Sequence, residues 1–440
     1  MVCHRCLEPG SKLACTRWSH SKVALPGVPE LSDDDLYAAM DFLLEHGERV
    51  QESVFFSVAN LLNTEVDVIF FDTTSTYFEI EDEDQVNEDD DEQPEAAHRR
   101  FGHSKDHRPD RPQVVIGLAV TREGIPVRCW VWPGNTTDQS VVEQVKTDLG
   151  GWRLGRVVSV VDSGFSSEEN LKIWQRAGGH YIAGMKLRSG TREAREALTR
   201  PGRYKTVRDN LEVKEVVIGW GGAAAQRYIV CRNPREAERD RTRRERAIER
   251  IETALAELDQ HTGAAHRKRA CALRTNPTLG RYLRQTKTGR LTLDRAKLKA
   301  EERLDGKYLL RTSDDTLSAE DIALGYKNLL EAERGFHTLK GTLDLRPVYH
   351  HREDRIRSHV LICFLALTII RVAERRTDQT WPAIREQLWP IQLGSFTSRD
   401  GSFQQRTELT TDQRDLLSAL AVPEPPHLGL ISPDTQATLA

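Results

Sequence analysis

Residues 66–72 read VDVIFFD and residues 157–162 read VVSVVD, and the predicted fold is built on these two stretches. Each is a dense run of β-branched and aromatic residues, which predicts a buried strand ending at an aspartate. Ligands of α/β sheets gather beyond the strand ends, so Asp72 and Asp162 are candidate site residues. Taken one at a time, each acid is explained more simply as a solvated turn residue.

The sequence around these strands predicts a mixed sheet. Alternating apolar residues and a Gly-containing turn indicate a hairpin, and a helix with a Ser166-x-x-Glu169 capping box follows Asp162. The predicted strands beyond the first two are 114–120, 125–132, 181–185 and 308–311. Strands and helices in this order predict an α/β fold with helices flanking the sheet.

The predicted domain boundaries follow changes in composition along the chain. They are a disordered leader at 1–31, an N-terminal helical segment at 32–65, the first part of the core at 66–199, an insertion domain at 200–305, the second part of the core with C-terminal helices at 306–425, and a disordered tail at 426–440. Within the first part of the core, residues 79–98 form an acidic insert that we predict to be disordered, because its like charges repel and cannot enter a core.

Charge and composition permit a phosphate-binding protein and argue against a membrane-spanning or secreted one. The net charge of -4 includes eleven carboxylates between Glu79 and Glu95, without which the chain would carry +7. A phosphate-binding face is therefore permitted. The longest apolar run, Val360 to Ile370, is too short for the roughly 20 residues that span a bilayer and predicts a buried helix instead. No signal peptide is visible at the start, which predicts a cytoplasmic protein without a membrane partner.

Seven scattered cysteines support a reducing compartment. Cys3 and Cys6, with His4 and Cys15, could supply zinc ligands. No second Cys-x-x-Cys pair follows at a convincing spacing, so a zinc site is disfavoured.

Three blocks of sequence carry a family resemblance. Residues 68–79 read VIFFDTTSTYFE, residues 157–171 read VVSVVDSGFSSEENL, and residues 326–350 read YKNLLEAERGFHTLKGTLDLRPVYH. In order and wording they resemble the three catalytic blocks of a family of insertion-sequence DDE transposases with a Tyr-Arg-Glu-Lys third block. Tyr326, Glu333 and Lys340 match that block, whereas Leu329 stands where the arginine is expected. The segments GHSKDHRPD and PGNTTD also match, and the resemblance covers residues 32–425.

This resemblance implies an RNase H-like core with a β-rich or helical insertion between the second and third acids. It implies that Asp72, Asp162 and Glu333 are catalytic and hold two Mg²⁺ or Mn²⁺ ions. The implied activity is cleavage at the ends of the element and strand transfer into target DNA. The implied partners are the terminal inverted repeats, the target DNA and a second subunit, in the bacterial cytoplasm on the nucleoid.

The third block predicts one helix from Ser318 to Lys340. At about 3.6 residues per turn, Tyr326, Glu333 and Lys340 would lie on one line and face one groove, where the phenol and the ammonium could contact phosphate. Ordinary surface residues of an amphipathic helix are the alternative. We expect Leu329 to pack in the core, and Leu330 and Phe336 to pack against the sheet. Glu331 is the competitor for the role of third acid. It lies two residues from Glu333, about 200° around the helix axis, so both acids cannot face the metals together.

Two loops are further candidates for the site. Lys105, His107 and Arg108 could contact backbone phosphates, although solvation explains a basic loop equally well. Asn135 and Asp138 could shape the active-site turn, but an Asx-turn is the simpler interpretation.

Trp130 and Trp132 alternate with Val131 on a predicted strand, which favours core packing over base stacking.

Two alternatives to a transposase stay open. A nuclease on the same core would use the same metals with water as the nucleophile. A truncated or inactive copy would bind DNA without cutting it, and the short segment before Asp72 motivates this alternative.

Overall fold

The computed structural model describes residues 1–25, 28, 30–62, 66–84, 98–152, 154, 157–188, 192–219, 225–398 and 401–433. The chain divides into two compact units: unit 1 is Met1–Val157 with Leu329–Ala440, and unit 2 is Val158–Asn328. The helices are α1 Val2–Leu7, α2 Lys12–Ser21, α3 Asp33–Leu62, α4 Val142–Gly150, α5 Glu168–Gln175, α6 Arg192–Thr199, α7 Pro234–Asp259, α8 Gly263–Thr275, α9 Arg295–Glu302, α10 Ala319–Lys327, α11 Leu330–His337, α12 Glu353–Thr377, α13 Trp381–Leu388 and α14 Thr411–Leu420. The strands are β1 Val68–Tyr77, β2 Gln113–Thr121, β3 Pro126–Pro133, β4 Val158–Val161, β5 His180–Met185, β6 Lys205–Arg208, β7 Leu211–Ile218, β8 Gln226–Arg232, β9 Leu283–Gln285, β10 Leu291–Leu293, β11 Lys307–Thr312, β12 Leu393–Ser398, β13 Gly401–Arg406 and β14 Leu428–Pro433.

Unit 1 contains an antiparallel meander of β1, β2 and β3, which confirms the predicted hairpin. Every residue of β2 is buried, because both faces of the meander are covered. On one face, Trp130 and Trp132 stack with centroids 6.1 Å apart and donate their indole N–H groups to Asp148 and Gln144 at the α4 helix. The predicted core packing of the two tryptophans is confirmed.

Helix α12 is the central helix of unit 1. Most of its side chains are buried, as predicted for the apolar run at 360–370. By length and composition the helix could cross a membrane, with a mean hydropathy of 1.8, but 72% of its apolar window is buried inside the protein. Ser358 donates a hydrogen bond to the Met40 carbonyl of α3, at 2.8 Å, which ties the two long helices together.

The N-terminal helices α1 and α2 pack in unit 1, so the prediction of a disordered leader over 1–31 is wrong for residues 2–21. Cys6 Sγ lies 3.6 Å from the Ala366 carbonyl of α12, and Trp381 donates to the Cys6 carbonyl at 3.1 Å. Cys15 and Trp18 are buried as well. The sequence did not reveal this order because the partners of these short helices lie about 350 residues away.

Parts of the other two segments that we predicted to be disordered are also held in place. Asp84 pairs with Arg99, and Glu83 pairs with Arg100 at 3.1 Å, so residues 79–84 of the acidic insert are tied to the chain that follows it. Residues 85–97 lie outside the described residues. Strand β14 pairs with β13, so the disordered tail predicted for 426–440 is wrong for residues 428–433, and residues 434–440 lie outside the described part.

Unit 2 contains a six-stranded mixed arrangement in the order β4-β5-β11-β8-β7-β6. Strands β4 and β5 are parallel and are connected through α5, whereas β11 pairs antiparallel with both β5 and β8. The predicted returning strand at 308–311 is therefore confirmed. Strands β6 to β8 were predicted to belong to an insertion domain at 200–305, but they extend this sheet.

The rest of the predicted insertion is largely helical. Helices α7, α8 and α9 and the β9–β10 hairpin surround a small core of Ala247, Ile251, Leu279, Tyr282 and Leu283. The mixed α/β class with flanking helices is confirmed. The antiparallel meander of unit 1 and the parallel β4–β5 pair of unit 2 are consistent with an RNase H-like core.

Candidate active site

Asp72 lies inside β1 rather than at its end, so the predicted end of that strand is wrong. The β-branched residues of 73–76 continue the strand to Tyr77, and Asp72 pairs with Leu118 of β2. Its side chain is 18% exposed. Its Oδ1 accepts a hydrogen bond from the Thr73 backbone N–H at 2.7 Å. The carboxylate is therefore held by its own strand, partly open to solvent.

Helix α11 crosses the sheet on the face that carries Asp72. Directly paired residues of antiparallel strands point to the same face, so Asp72 and Leu118 share one face. A Cβ on Gly335 would lie 2.7 Å from Leu118 Cδ2, which shows how closely α11 approaches that face. Phe336 is buried, as predicted, but Leu330 is 52% exposed, so its predicted packing on the sheet is wrong. Leu329 is buried, as predicted.

The two acids of α11 have different surroundings. Glu331 accepts a hydrogen bond from Arg334 at 2.6 Å, and its Oε2 lies against Gly124 in the β2–β3 turn. Glu333 is exposed. Glu331 is thus engaged in packing α11 onto the hairpin, whereas Glu333 presents its carboxylate to solvent.

A lysine and a second aspartate surround Asp72. Lys105 Nζ lies 3.9 Å from Asp72 Oδ1 and donates to the Thr73 carbonyl at 2.9 Å and the Thr73 hydroxyl at 2.6 Å. Asp138 Oδ1 accepts from the Thr73 hydroxyl at 2.5 Å and lies 3.3 Å from Lys105 Nζ. Asp138 therefore contacts the residues around Asp72, which favours the active-site alternative over the simple Asx-turn that we preferred.

A buried charge cluster holds the chain that follows α11 against β1. Lys340 donates to the Thr74 hydroxyl at 2.7 Å and to Asp106 at 2.8 Å. Arg346 Nη1 lies 2.7 Å from the other Asp106 oxygen, as an ion pair rather than as an aligned hydrogen bond. Asp106 is only 7% exposed. Burial lowers the pKa of Lys340, and Asp106 offsets part of this effect.

The predicted single helix from Ser318 to Lys340 is wrong. Helix α10 begins after the Ser318 N-cap, as predicted, but ends at Lys327, and α11 starts at Leu330. Residues 338–342 then form a π-helical turn, which contains Lys340. The division between the two units falls between 328 and 329, so Tyr326 lies in unit 2, and Glu333 and Lys340 lie in unit 1.

In unit 2, Asp162 directly follows β4, as predicted. It caps the 3₁₀ turn Ser163–Phe165, and its Oδ1 accepts from the Gly164 N–H at 2.5 Å. Tyr326 reaches the same place: a Cβ on Gly184 of β5 would lie 2.3 Å from the Tyr326 hydroxyl and 3.3 Å from the Ser163 nitrogen. The phenol of α10 therefore lies close to the turn that Asp162 caps. The capping residue of α5 is Ser167, one residue after the predicted box.

The predicted DNA loop holds two further basic residues, Arg108 and His107. Arg108 lies over the Tyr77 ring at 4.8 Å and pairs with Asp110 at 3.0 Å. His107 has a left-handed backbone with a φ of 58°. Their contact with phosphate stays a prediction.

Carboxylates are the donors that hard divalent cations prefer, so the chemistry of Asp72, Asp162 and Glu333 fits magnesium or manganese. Within the described residues, no group of three or more His, Cys, Asp or Glu side chains is arranged to hold a metal ion. Asp72 and Glu333 belong to unit 1 and Asp162 belongs to unit 2. That the three acids form one metal site therefore stays a prediction.

Comparisons with known proteins complete this description. The model of the transposase DDE domain family matches residues 67–369, more than half of the chain. The chain belongs to the DDE transposase family. A similar solved structure is that of piggyBac transposase in a synaptic complex with hairpin DNA, with 10% identity and a TM-score of 0.37 over 88% of this chain and 80% of that one. No curated protein matches the sequence.

Sequence reasoning missed part of the surroundings of Asp72 in this DDE transposase. Asp106 and Asp138 were not predicted to pair with lysines. Thr73, Thr74 and Arg346 were not predicted to belong to these surroundings. The family-like segments GHSKDHRPD and PGNTTD contain both aspartates, so the signal was present. Pairing them with Lys340 and Lys105 required the strand register and the position of the π-helical turn.

Proposed function

We propose that this DDE transposase cleaves DNA at the ends of its element and joins the freed 3' hydroxyl to target DNA. Asp72, Asp162 and Glu333 would hold two Mg²⁺ or Mn²⁺ ions. The observation that carries the proposal is the geometry of unit 1. Asp72 points to the sheet face that α11 crosses, and α11 carries Glu333 as an exposed carboxylate.

When bound, such ions activate the attacking oxygen and stabilise the leaving oxygen in phosphoryl transfer. The protein contributes fixed carboxylates at the site. The Thr73 N–H restrains the Asp72 side chain, and the Gly164 N–H restrains that of Asp162. Restrained ligands lose less conformational entropy when a cation binds.

Lys105 would serve as a positioning residue next to Asp72. Its ammonium is shared by Asp138, Thr73 and, at 3.9 Å, Asp72, so it balances the negative charge of the two aspartates. Its side chain is 30% exposed and can still meet a DNA phosphate.

His107, Arg108 and Tyr326 would contact the DNA strand as well. Lys340 would act mainly by holding the π-helical turn on Thr74, because Asp106 already neutralises it. Resemblance to insertion-sequence enzymes supports the terminal inverted repeats and target DNA as partners. It also supports a dimer on paired ends and action in the bacterial cytoplasm on the nucleoid.

The test uses DNA that carries the terminal repeats flanking the gene. Glu333→Gln and Asp72→Asn keep the shape of each side chain but remove a charged ligand. Each should reduce magnesium-dependent cleavage by on the order of a hundredfold or more, since even partners behind a metal ligand are worth 10- to 100-fold. DNA binding should persist, because phosphate contacts remain.

Glu331→Gln is the matched control. It lies two residues from Glu333 on the same helix and contacts Arg334 and the hairpin turn, so cleavage should be nearly unchanged. Loss of cleavage in Glu331→Gln with normal cleavage in Glu333→Gln would show that the third acid is wrong. Cleavage without any joined product in the presence of target DNA would point to a nuclease instead.

A further inference from the structure

A second polar site lies in unit 1. It is a cavity of about 820 Å³, and neither Asp72 nor Glu333 lines it. Asp344 is the single acid among its lining residues in the described chain. Its basic lining residues are Arg5, Lys12, Arg352, Arg355 and the three histidines His350, His351 and His359.

Lys12 is a buried cation that lines this cavity. It is 7% exposed, and its Nζ lies 3.1 Å from His359 Nδ1. His359 Nε2 lies 3.1 Å from the Leu345 carbonyl, so Nε2 donates there and Nδ1 accepts from Lys12. Burial holds the pKa of His359 well below its usual value, so the imidazole is neutral. In the described part of the chain, Lys12 has no carboxylate as an ion-pair partner.

Arg5 is the second buried cation. It is 5% exposed, and its guanidinium donates to the backbone carbonyls of Gly10, at 2.9 Å, and Leu343, at 3.4 Å. Its Nε finds no hydrogen-bond partner among the described residues. Burial first and Arg5 second lower the pKa of Lys12 to about 8. The two buried charges therefore repel each other.

Helix ends add to the positive potential. Helix α2 begins at Lys12, and Gly10 and Ser11 line the cavity with it. The N-terminus of a helix favours anions because its free N–H groups and dipole point toward them. Arg352 and Arg355 lie at the start of α12, on the rim, and pair with Asp354 and Asp41. The excess positive charge thus belongs to Arg5 and Lys12.

We propose that this cavity binds a phosphate group, with Lys12, Arg5 and the N-terminus of α2 as its donors. A phosphate offers several acceptor oxygens and a negative charge, which matches two buried cations with unused donor capacity. The phosphate could belong to a DNA backbone or to a free phosphate ester, since both present the same oxygens.

The experiment measures thermal unfolding of the full-length protein in inorganic phosphate against sodium chloride of equal ionic strength. Phosphate should raise the Tm of the wild type in a saturable way. Lys12→Met should weaken the apparent phosphate affinity roughly tenfold or more, as expected for a lost charge-assisted contact. Lys22→Met is the matched control, since Lys22 follows the same helix but is 57% exposed and pairs with Glu8.

A second arm measures binding of a random-sequence DNA duplex over a range of salt concentrations. If DNA supplies the phosphate, Lys12→Met should bind the duplex more weakly and reduce the salt slope by about one. If a free phosphate ester is the ligand, DNA binding should stay unchanged while the Tm response to phosphate is lost.

Equal Tm responses to phosphate in the wild type and Lys12→Met, or no response beyond sodium chloride, would overturn the proposal. Should Lys12→Met fail to fold, Lys12→Gln decides, because its amide N–H can still donate to His359 Nδ1 while the charge is removed. It must weaken the phosphate response relative to Lys22→Met, and an equal response rejects the site. Asp72→Asn should keep the response whatever its effect on cleavage, which separates this proposal from the proposed function.

Discussion

Replacing Asp106 with Asn tests whether the buried charge cluster holds the π-helical turn against β1. The substitution keeps the shape but removes the charge that both Lys340 and Arg346 face. Losing one partner of a buried ion pair costs about 3–5 kcal/mol, because the remaining charge is left buried without compensation. Arg346 is 33% exposed, so water screens part of its charge, and we expect a loss of about 2–4 kcal/mol in the free energy of unfolding.

The assay is urea unfolding of the single variants and of a double-mutant cycle with Lys340→Met. In the Lys340→Met background one of the two cations is already gone, so Asp106→Asn should cost less, with a coupling energy of roughly 1–3 kcal/mol. Asp110→Asn is the control, because Asp110 lies in the same loop but is 59% exposed. The free energy of unfolding of this variant should not differ measurably from that of the wild type. A cost for Asp106→Asn no larger than that of Asp110→Asn would refute the reasoning.

Three further predictions concern the packing of α11 and the buried Lys12. Phe336→Ala should cost about 3–5 kcal/mol by urea unfolding, whereas the exposed Leu330→Ala should be nearly silent; equal costs would contradict the register of α11. Gly335→Val should displace α11, since even a Cβ would lie 2.7 Å from Leu118, and we expect most cleavage to be lost in an end-cleavage assay; normal cleavage would rule out this close approach. The pKa of Lys12 is about 8 in the folded protein and 10.5 as its ordinary value, so the unfolded chain binds more protons between these values. Stability should therefore rise by about 3 kcal/mol as the pH increases through that window. Lys12→Met should abolish this slope in urea unfolding at several pH values, and an unchanged slope would assign it to another group.

Local patterns in the sequence predicted the elements well where a strand or a helix signals itself. The strand before Asp162, the hairpin after residue 113 and the apolar helix at 353–377 all follow from runs of apolar residues. The strand through Asp72 was cut short because its second half, TTSTY, reads as polar. These residues are buried by distant partners, and Lys105 and Lys340 satisfy Thr73 and Thr74.

The missed features all depend on contacts far apart in the chain. A break after Lys327 interrupts the helix that we predicted as continuous, where Asn328 closes a tight turn onto Gly325 at 2.9 Å. Apolar periodicity carries no signal for such a break, because Leu329 and Leu330 continue the pattern. The order of the N-terminal helices was missed for the same reason: Arg5 and Lys12 look like surface residues until α12 and the chain before it cover them.

The dependence of α1 on α12 has a consequence for biosynthesis. Cys6 reaches its partner Ala366 only after 360 further residues have been made. At roughly 5–20 residues per second, that interval lasts on the order of 20–70 s. Unit 2 is one continuous stretch, so it can fold on the ribosome while both N-terminal helices still wait for their core. During this time Cys6 lacks its final cover, and a chain that terminates before residue 353 never supplies it.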